Sequence, residues 1–148
     1  MRLIVDADSM KPRVREIVAR AAERHGIEAV FVANRRLPIG DMPGARMVVA
    51  DDADEWIVCE ANVDDLAITR DVPLAARLVP RGVDVITDRG EHYTSENVRT
   101  RLSERQAAMS LRRAGVIAPR GAGYGPKEIQ AFANLLDREL TARARRSG

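Results

Sequence analysis

Four of the five short apolar runs in this sequence are followed closely by aspartate. Asp6 and Asp8 follow Leu3-Ile4-Val5, and Asp51, Asp52 and Asp54 follow Met47 to Ala50. Asp71 follows Leu66 to Thr69, and Asp88 follows Val83 to Thr87. The remaining run, Ala29 to Ala33, ends in Asn34. If the runs are strands of one parallel sheet, a ligand binds at their carboxyl ends and these side chains converge there. Unpaired carboxylates gathered at low dielectric repel strongly. A divalent cation relieves that repulsion, and hard oxygen donors suit Mg²⁺ or Mn²⁺ rather than zinc. An ion held there can activate a water as a nucleophile. Such a site needs no protein base, which fits a chain with two histidines.

Each acid has a plainer reading. Asp after a strand caps the next helix, and Asp52 or Asp54 and Asp71 are explained that way one at a time. Asp6-Ala7-Asp8 is harder to explain so, because two acids one residue apart point similarly from an extended segment. The convergence of the set carries the signal. Asp64 and Asp65 precede their strand, at the opposite edge, and read as turn residues, as do Asp41 and Asp84. Lys11, Arg13, Arg35, Arg36, Arg70 and Arg89 lie just beyond strand ends and are candidates for phosphate contacts. A solvated surface charge is the alternative for each. Ser9 is a candidate hydroxyl contact, and Asn34 a candidate for orienting substrate or a metal-bound water. His92 follows Arg89-Gly90-Glu91 near the acidic edge, as a phosphate contact or a loop residue. His25 reads as a helix C-terminal cap, and Cys59, mid-helix after Trp56, as a core residue.

The elements that must position these residues alternate. Pro12 opens a helix with Val14, Ile17, Val18, Ala21 and Ala22 on one stripe, and Gly26 stops it. Residues 35–45 hold two prolines and two glycines and read as a loop. A short helix through Trp56 to Ala61 follows the third run, and a helix from Pro73 to Val79 follows the fourth. Thr94 or Ser95 caps a long helix to about Ala114. A glycine-rich stretch, about 116–125, reads as a mobile loop. Pro126 to about Arg145 forms a last helix with Ile129, Phe132, Ala133, Leu136 and Leu140 on one face, before a frayed basic tail in residues 141–148. Strands alternating with helices argue for a parallel α/β sheet, and both final helices are expected to pack onto it. One domain spans residues 1–148 in this reading.

Composition narrows the function. The apolar share of 45% and charged share of 31% suit an ordinary globular chain. One cysteine excludes an internal disulfide framework, and the thiol and two histidines are too scattered for a structural zinc site. No apolar run approaches the roughly 20 residues of a membrane span, and no signal peptide is visible, so a cytoplasmic location with no membrane partner is expected. Aromatics are 3%, so base-stacking platforms are nearly absent. The net charge of +2 hides an asymmetry: residues 1–88 carry −4 and residues 89–148 carry +6. The excess acid is partly the strand-end set. The excess base on the last two helices suits steering of a polyanion by its backbone.

The chain resembles the YaiI/YqxD family of PIN-like proteins. The stretches that carry the resemblance run in order over about residues 2–140: Val5-Asp6-Ala7-Asp8, Val32-Ala33-Asn34, Ala53-Asp54 with Ile57-Val58, Asp65 to Ala75, Arg89 to Thr94, and Gln130 to Asn134 with Leu136-Asp137-Arg138. It implies an α/β, PIN-like three-layer fold: a central, mainly parallel five-stranded sheet with helices on both faces. It also implies strand-end acids that hold Mg²⁺ or Mn²⁺ and cut RNA. By position Asp6 is the first such acid, Asp54 the second, Asp71 the third and Asp88 a fourth. Family members often have Cys-Pro directly after Asp-Ala-Asp, where this chain has Ser9, Met10, Lys11 and Pro12.

The resulting expectation is a metal-dependent nuclease acting on single-stranded RNA. Asp6, Asp8, Asp54 and Asp71 hold the metal, and Asp88 assists. Two alternatives stand beside it. Asp6-Ala7-Asp8 also looks like the nucleophile motif of haloacid-dehalogenase-type phosphatases, with Asp6 as nucleophile and Asp8 as acid/base, although no lysine follows in place. A non-catalytic RNA-binding PIN-like module is the other. The apolar face of the last helix packs either on its own sheet or on a second subunit, leaving a homodimer open.

Overall fold

The computed structural model describes residues 1–39, 43–116 and 123–147. Five strands form one sheet: β1 (Arg2–Asp6), β2 (Glu28–Ala33), β3 (Ala45–Val49), β4 (Leu66–Ile68) and β5 (Asp84–Ile86). Their order is β3-β2-β1-β4-β5, and every neighbouring pair is parallel. The expected α/β architecture holds, with the sheet parallel throughout rather than mainly so. The chain places β2 and β3 on one side of β1 and β4 and β5 on the other. The strand order therefore reverses beside β1, where open sheets leave a crevice at the carboxyl ends.

Five helices cover the two faces: α1 (Pro12–His25), α2 (Ala53–Glu60), α3 (Val72–Leu78), α4 (Ser95–Arg113) and α5 (Pro126–Ser147). Side chains alternate across each strand. Leu3, Val5, Phe31, Ile68 and Ile86 pack with α1 and with Phe132, Leu136 and Leu140 of α5. Ile4, Val30, Val32, Ala67 and Val85 pack with α2, α3 and Val98 of α4. Two apolar layers on one sheet make the three-layer arrangement expected of a PIN-like fold. Local chemistry sets the helix ends. Pro12 occupies the first turn of α1, and Gly26, at φ 65°, closes it in the left-handed region that glycine adopts without strain. Thr94 and Asn97 form a reciprocal capping box on α4.

Four expectations change. First, α5 packs within its own chain, with Phe132, Leu136 and Leu140 fully buried, but α4 buries only Val98. Beyond Val98 its apolar residues form no continuous stripe, and Met109 and Leu111 are exposed. Second, Cys59 is exposed rather than core, because α2 turns Ala53 and Ile57 inward and Cys59 lies around the far side. Third, His25 caps nothing: its ring lies 3.0 Å from Asp137 Oδ1 on α5, and Gly26 terminates α1. Fourth, α5 continues through the residues expected as a frayed tail. Arginine is a good helix former and is favoured at a helix C-terminus. Asp41 and most of the stretch expected as a mobile loop lie outside the described residues.

Candidate metal and phosphate site

The carboxyl ends of β1, β2 and β3 open onto a cleft of about 400 Å³ lined by Asp6, Asp8, Ser9, Asn34, Asp51, Asp52, Ala53, Asp54 and Asp71. Six of the nine lining residues are aspartates and none is basic. Edge strand β3 contributes because α2 runs back against β1 and β2, bringing its acidic N-terminus over their ends.

Most of these acids have one local task. Asp52 Oδ1 accepts from Glu55 N at the start of α2, and Asp71 Oδ1 accepts from Leu74 N at the start of α3, so the capping reading holds for both. Asp8 Oδ2 accepts from Asn34 N, tying the turn after β1 to the end of β2. Asp54 lies in the first turn of α2 and caps nothing. Asp6 is buried and accepts from Thr69 Oγ1 at 2.6 Å. Burial pushes its carboxyl up to about 6, the Thr69 and Ser9 hydroxyls pull it down in part, and Asp54 and Asp71 add repulsion. Burial likewise raises the Asp54 carboxyl, with Asp71, Asp52 and Asp8 adding to it while Arg77 opposes.

The donor chemistry suits a hard divalent cation: carboxylate and amide oxygens, no thiol, no imidazole. As they stand, no three acidic, cysteine or histidine side chains among the described residues gather closely enough to enclose an ion. The acids line the cleft rather than converge on one point. Asp8 is exposed and Asp54 and Asp71 are half-buried.

The other predicted residues separate. Ser9 lines the cleft, donating to Asp6 O and accepting from Arg70 N. Asp88 does not line it. Its buried carboxylate receives Nε and Nη2 of Arg70, at 3.4 and 2.5 Å. Lys11, Arg70 and Arg89 gather on the ring of Tyr124, 5.1, 4.9 and 5.6 Å from its centroid. Arg13 instead pairs with Glu16 on α1 and faces the groove between α1 and α5. Arg35 and Arg36 are exposed beyond Asn34. His92 lies outside the cleft, 2.8 Å from Glu139 of α5. Asp65 is a buried turn acid held to Arg2, and Asp84 pairs with Arg143, both at the opposite edge as expected. Tyr124 is the site residue that sequence reasoning passed over, and its local pattern carried no signal. Thr69 was legible as a hydroxyl directly ending a strand run, but its bond to Asp6 was not.

Among the described residues no helix is long and apolar enough to cross a membrane.

Comparison with known proteins gives a family. The profile described as "Uncharacterized BCR, YaiI/YqxD family" matches residues 4–142. A UPF0178 protein of Syntrophobacter fumaroxidans is 45% identical over 152 residues, covering all of this chain and 99% of its own length. UPF0178 proteins of Treponema denticola and Myxococcus xanthus are each 44% identical. They cover 97% and 95% of this chain, and 94% and 95% of their own lengths. No solved structure matches.

Proposed function

The chain belongs to the YaiI/YqxD family, and we propose that it is a metal-dependent nuclease that hydrolyses phosphodiester bonds of single-stranded RNA. The observation that carries this reading is the cleft at the strand-order reversal, lined by six aspartates and no basic residue. Asp6, Asp8, Asp54 and Asp71 would hold Mg²⁺ or Mn²⁺. Bound there, the ion would lower the pKa of the attacking water and offset charge on the phosphoryl oxygens.

The chain's own residues have distinct tasks in this reading. Asp6 is the fixed member, its orientation set by the Thr69 hydroxyl and the surrounding core. Asp8 and Asp71 each keep one carboxylate oxygen on a backbone amide, and the other would be offered to the ion. Asp54 has no capping task and is free to rotate in. Asn34 offers a neutral amide at the rim. With few aromatics, recognition falls on backbone phosphates and gives little sequence preference.

Incubation of single-stranded RNA with Mn²⁺ or Mg²⁺ tests the reading. Wild type should cut, and Asp6→Asn and Asp71→Asn should abolish cutting. Asn retains an acceptor for Thr69 and is a good N-cap, so both variants should fold. RNA bound equally by wild type and both variants but never cut would leave only a binding module. Phosphate trapped covalently on Asp6 from a small phosphoester would favour the phosphatase.

A further inference from the structure

Tyr124, at the entry to α5, is the centre of an arrangement that the acidic cleft does not explain. Lys11 Nζ and the guanidinium carbons of Arg70 and Arg89 all lie within 5.6 Å of its ring centroid. Cations approach an aromatic face because the ring quadrupole attracts them. Three on one ring also repel one another. The hydroxyl is anchored, donating to Asp88 O at 2.9 Å, so the ring is fixed to the end of β5. Arg70 is fixed as well, by the buried Asp88 carboxylate. Arg89 donates to Gly123 O, tying it to the segment that carries the ring. Glu128, the other acid nearby, accepts from Gly125 N. Lys11 is exposed and makes no ion pair among the described residues. The cluster adjoins the cleft through two chain connections. Arg70 precedes Asp71 and its amide bonds Ser9, and Lys11 lies two residues beyond Ser9.

We propose that Tyr124 gathers Lys11, Arg70 and Arg89 into a cationic rim that binds the phosphodiester next to the one lying in the aspartate cleft. The proposal rests on the nuclease reading for the identity of the strand, but the rim itself needs no metal. An acidic cleft alone repels a polyanion, and a fixed group of cations at its edge supplies the opposite charge. The rim also gives Asp88 a task other than metal binding, because its carboxylate orients Arg70. Tyr124 acts as a positioning residue, and its ring, occupied by cations, is not a base-stacking platform.

The test is binding of a short fluorescein-labelled single-stranded oligouridylate, followed by anisotropy in EDTA over a range of salt concentrations. The full chain is compared as wild type, Lys11→Gln, Tyr124→Leu and Tyr124→Phe. Each phosphate contact contributes about 0.7 to the slope of log affinity against log salt for single strands. Lys11→Gln should weaken binding several-fold and flatten the slope by about that amount. Tyr124→Leu should do the same, and Tyr124→Phe, which keeps the ring, should restore most of it. Wild-type affinity and slope in both Lys11→Gln and Tyr124→Leu would overturn the rim. Cutting the same oligonucleotide with Mn²⁺ separates the two readings. A strand bound in a Lys11-dependent way and never cut leaves the rim and removes the nuclease. A strand cut equally well by wild type and Lys11→Gln removes the rim alone.

Discussion

The Thr69 hydroxyl and the Asp6 carboxylate meet at 2.6 Å across the seam between β1 and β4. Val5 pairs with Ile68 in register, so Asp6 and Thr69 are the next residues on two adjacent strands. The same hydroxyl oxygen accepts from Asp71 N at 2.9 Å. One threonine thus ties together the acids that end β1 and begin α3, at the point where the strand order reverses.

Thr69→Val keeps the shape and removes the hydroxyl. It leaves the buried Asp6 carboxylate without its donor and the Asp71 amide without its acceptor. The expected loss of stability is about 1–3 kcal/mol, read from urea unfolding midpoints near neutral pH. Thr69→Ser should recover most of it, and a Val variant as stable as wild type would refute the bridge.

Asp6 gives stability a pH dependence. Burial holds its carboxyl at about 6 in the folded chain against an ordinary 3.8. Between those values the folded protein keeps a proton that the unfolded chain has lost. The stability this contributes is complete below about 3.8 and gone once the pH passes about 6. At about 1.4 kcal/mol per pH unit the full effect is about 3 kcal/mol. In EDTA, Asp6→Asn should therefore be more stable than wild type near neutral pH, with the gap closing toward about pH 4. A gap that stays constant with pH would contradict this.

Metal should offset most of that difference. If Mn²⁺ binds the aspartates, a concentration about 100 times its dissociation constant stabilises the wild type by about 2.7 kcal/mol. Asp6→Asn and Asp54→Asn should lose most of the thermal shift. Arg13→Gln should keep it, since Arg13 pairs with Glu16 away from the cleft. Equal shifts in all three variants would put the ion elsewhere.

Gly90 is a structural pivot of the β5–α4 connection. Its φ is 82°, and a Cβ there would lie 2.7 Å from the backbone of Ala131 in α5. Gly90→Ala combines a left-handed conformation with a backbone collision, so a destabilisation of about 2 kcal/mol or more is expected. Thermal unfolding measures it. An Ala variant that melts with wild type would show that α5 can move aside.

Much of this molecule is legible along the chain. The five apolar runs are the five strands: β1, β2 and β4 are buried on both faces and need continuous apolar side chains, while edge strand β3 is only partly covered. Pro12, Gly26 and Thr94 mark helix ends through their backbone and capping chemistry. Aspartate after a strand is visible too, since it caps the helix that follows, as Asp52 and Asp71 do. The YaiI/YqxD resemblance rests on those same stretches. The sequence by itself therefore determined the element order, the parallel α/β class and the acidic character of the site.

Tertiary structure decided which of these residues share a space. Asp88 ends a strand run like the others, yet β5 lies at the sheet edge and Arg70 holds its carboxylate away from the cleft. Asp51 and Asp52 enter because α2 folds back over β1 and β2. Of the cations beyond strand ends, Lys11, Arg70 and Arg89 meet on Tyr124, while Arg13 turns to Glu16. His92 turns to Glu139, and Cys59 faces outward. Spacing along a chain gives the direction of a side chain within its own element. Its partners depend on strand order and on which helix crosses back, and those follow from packing two apolar layers onto one sheet.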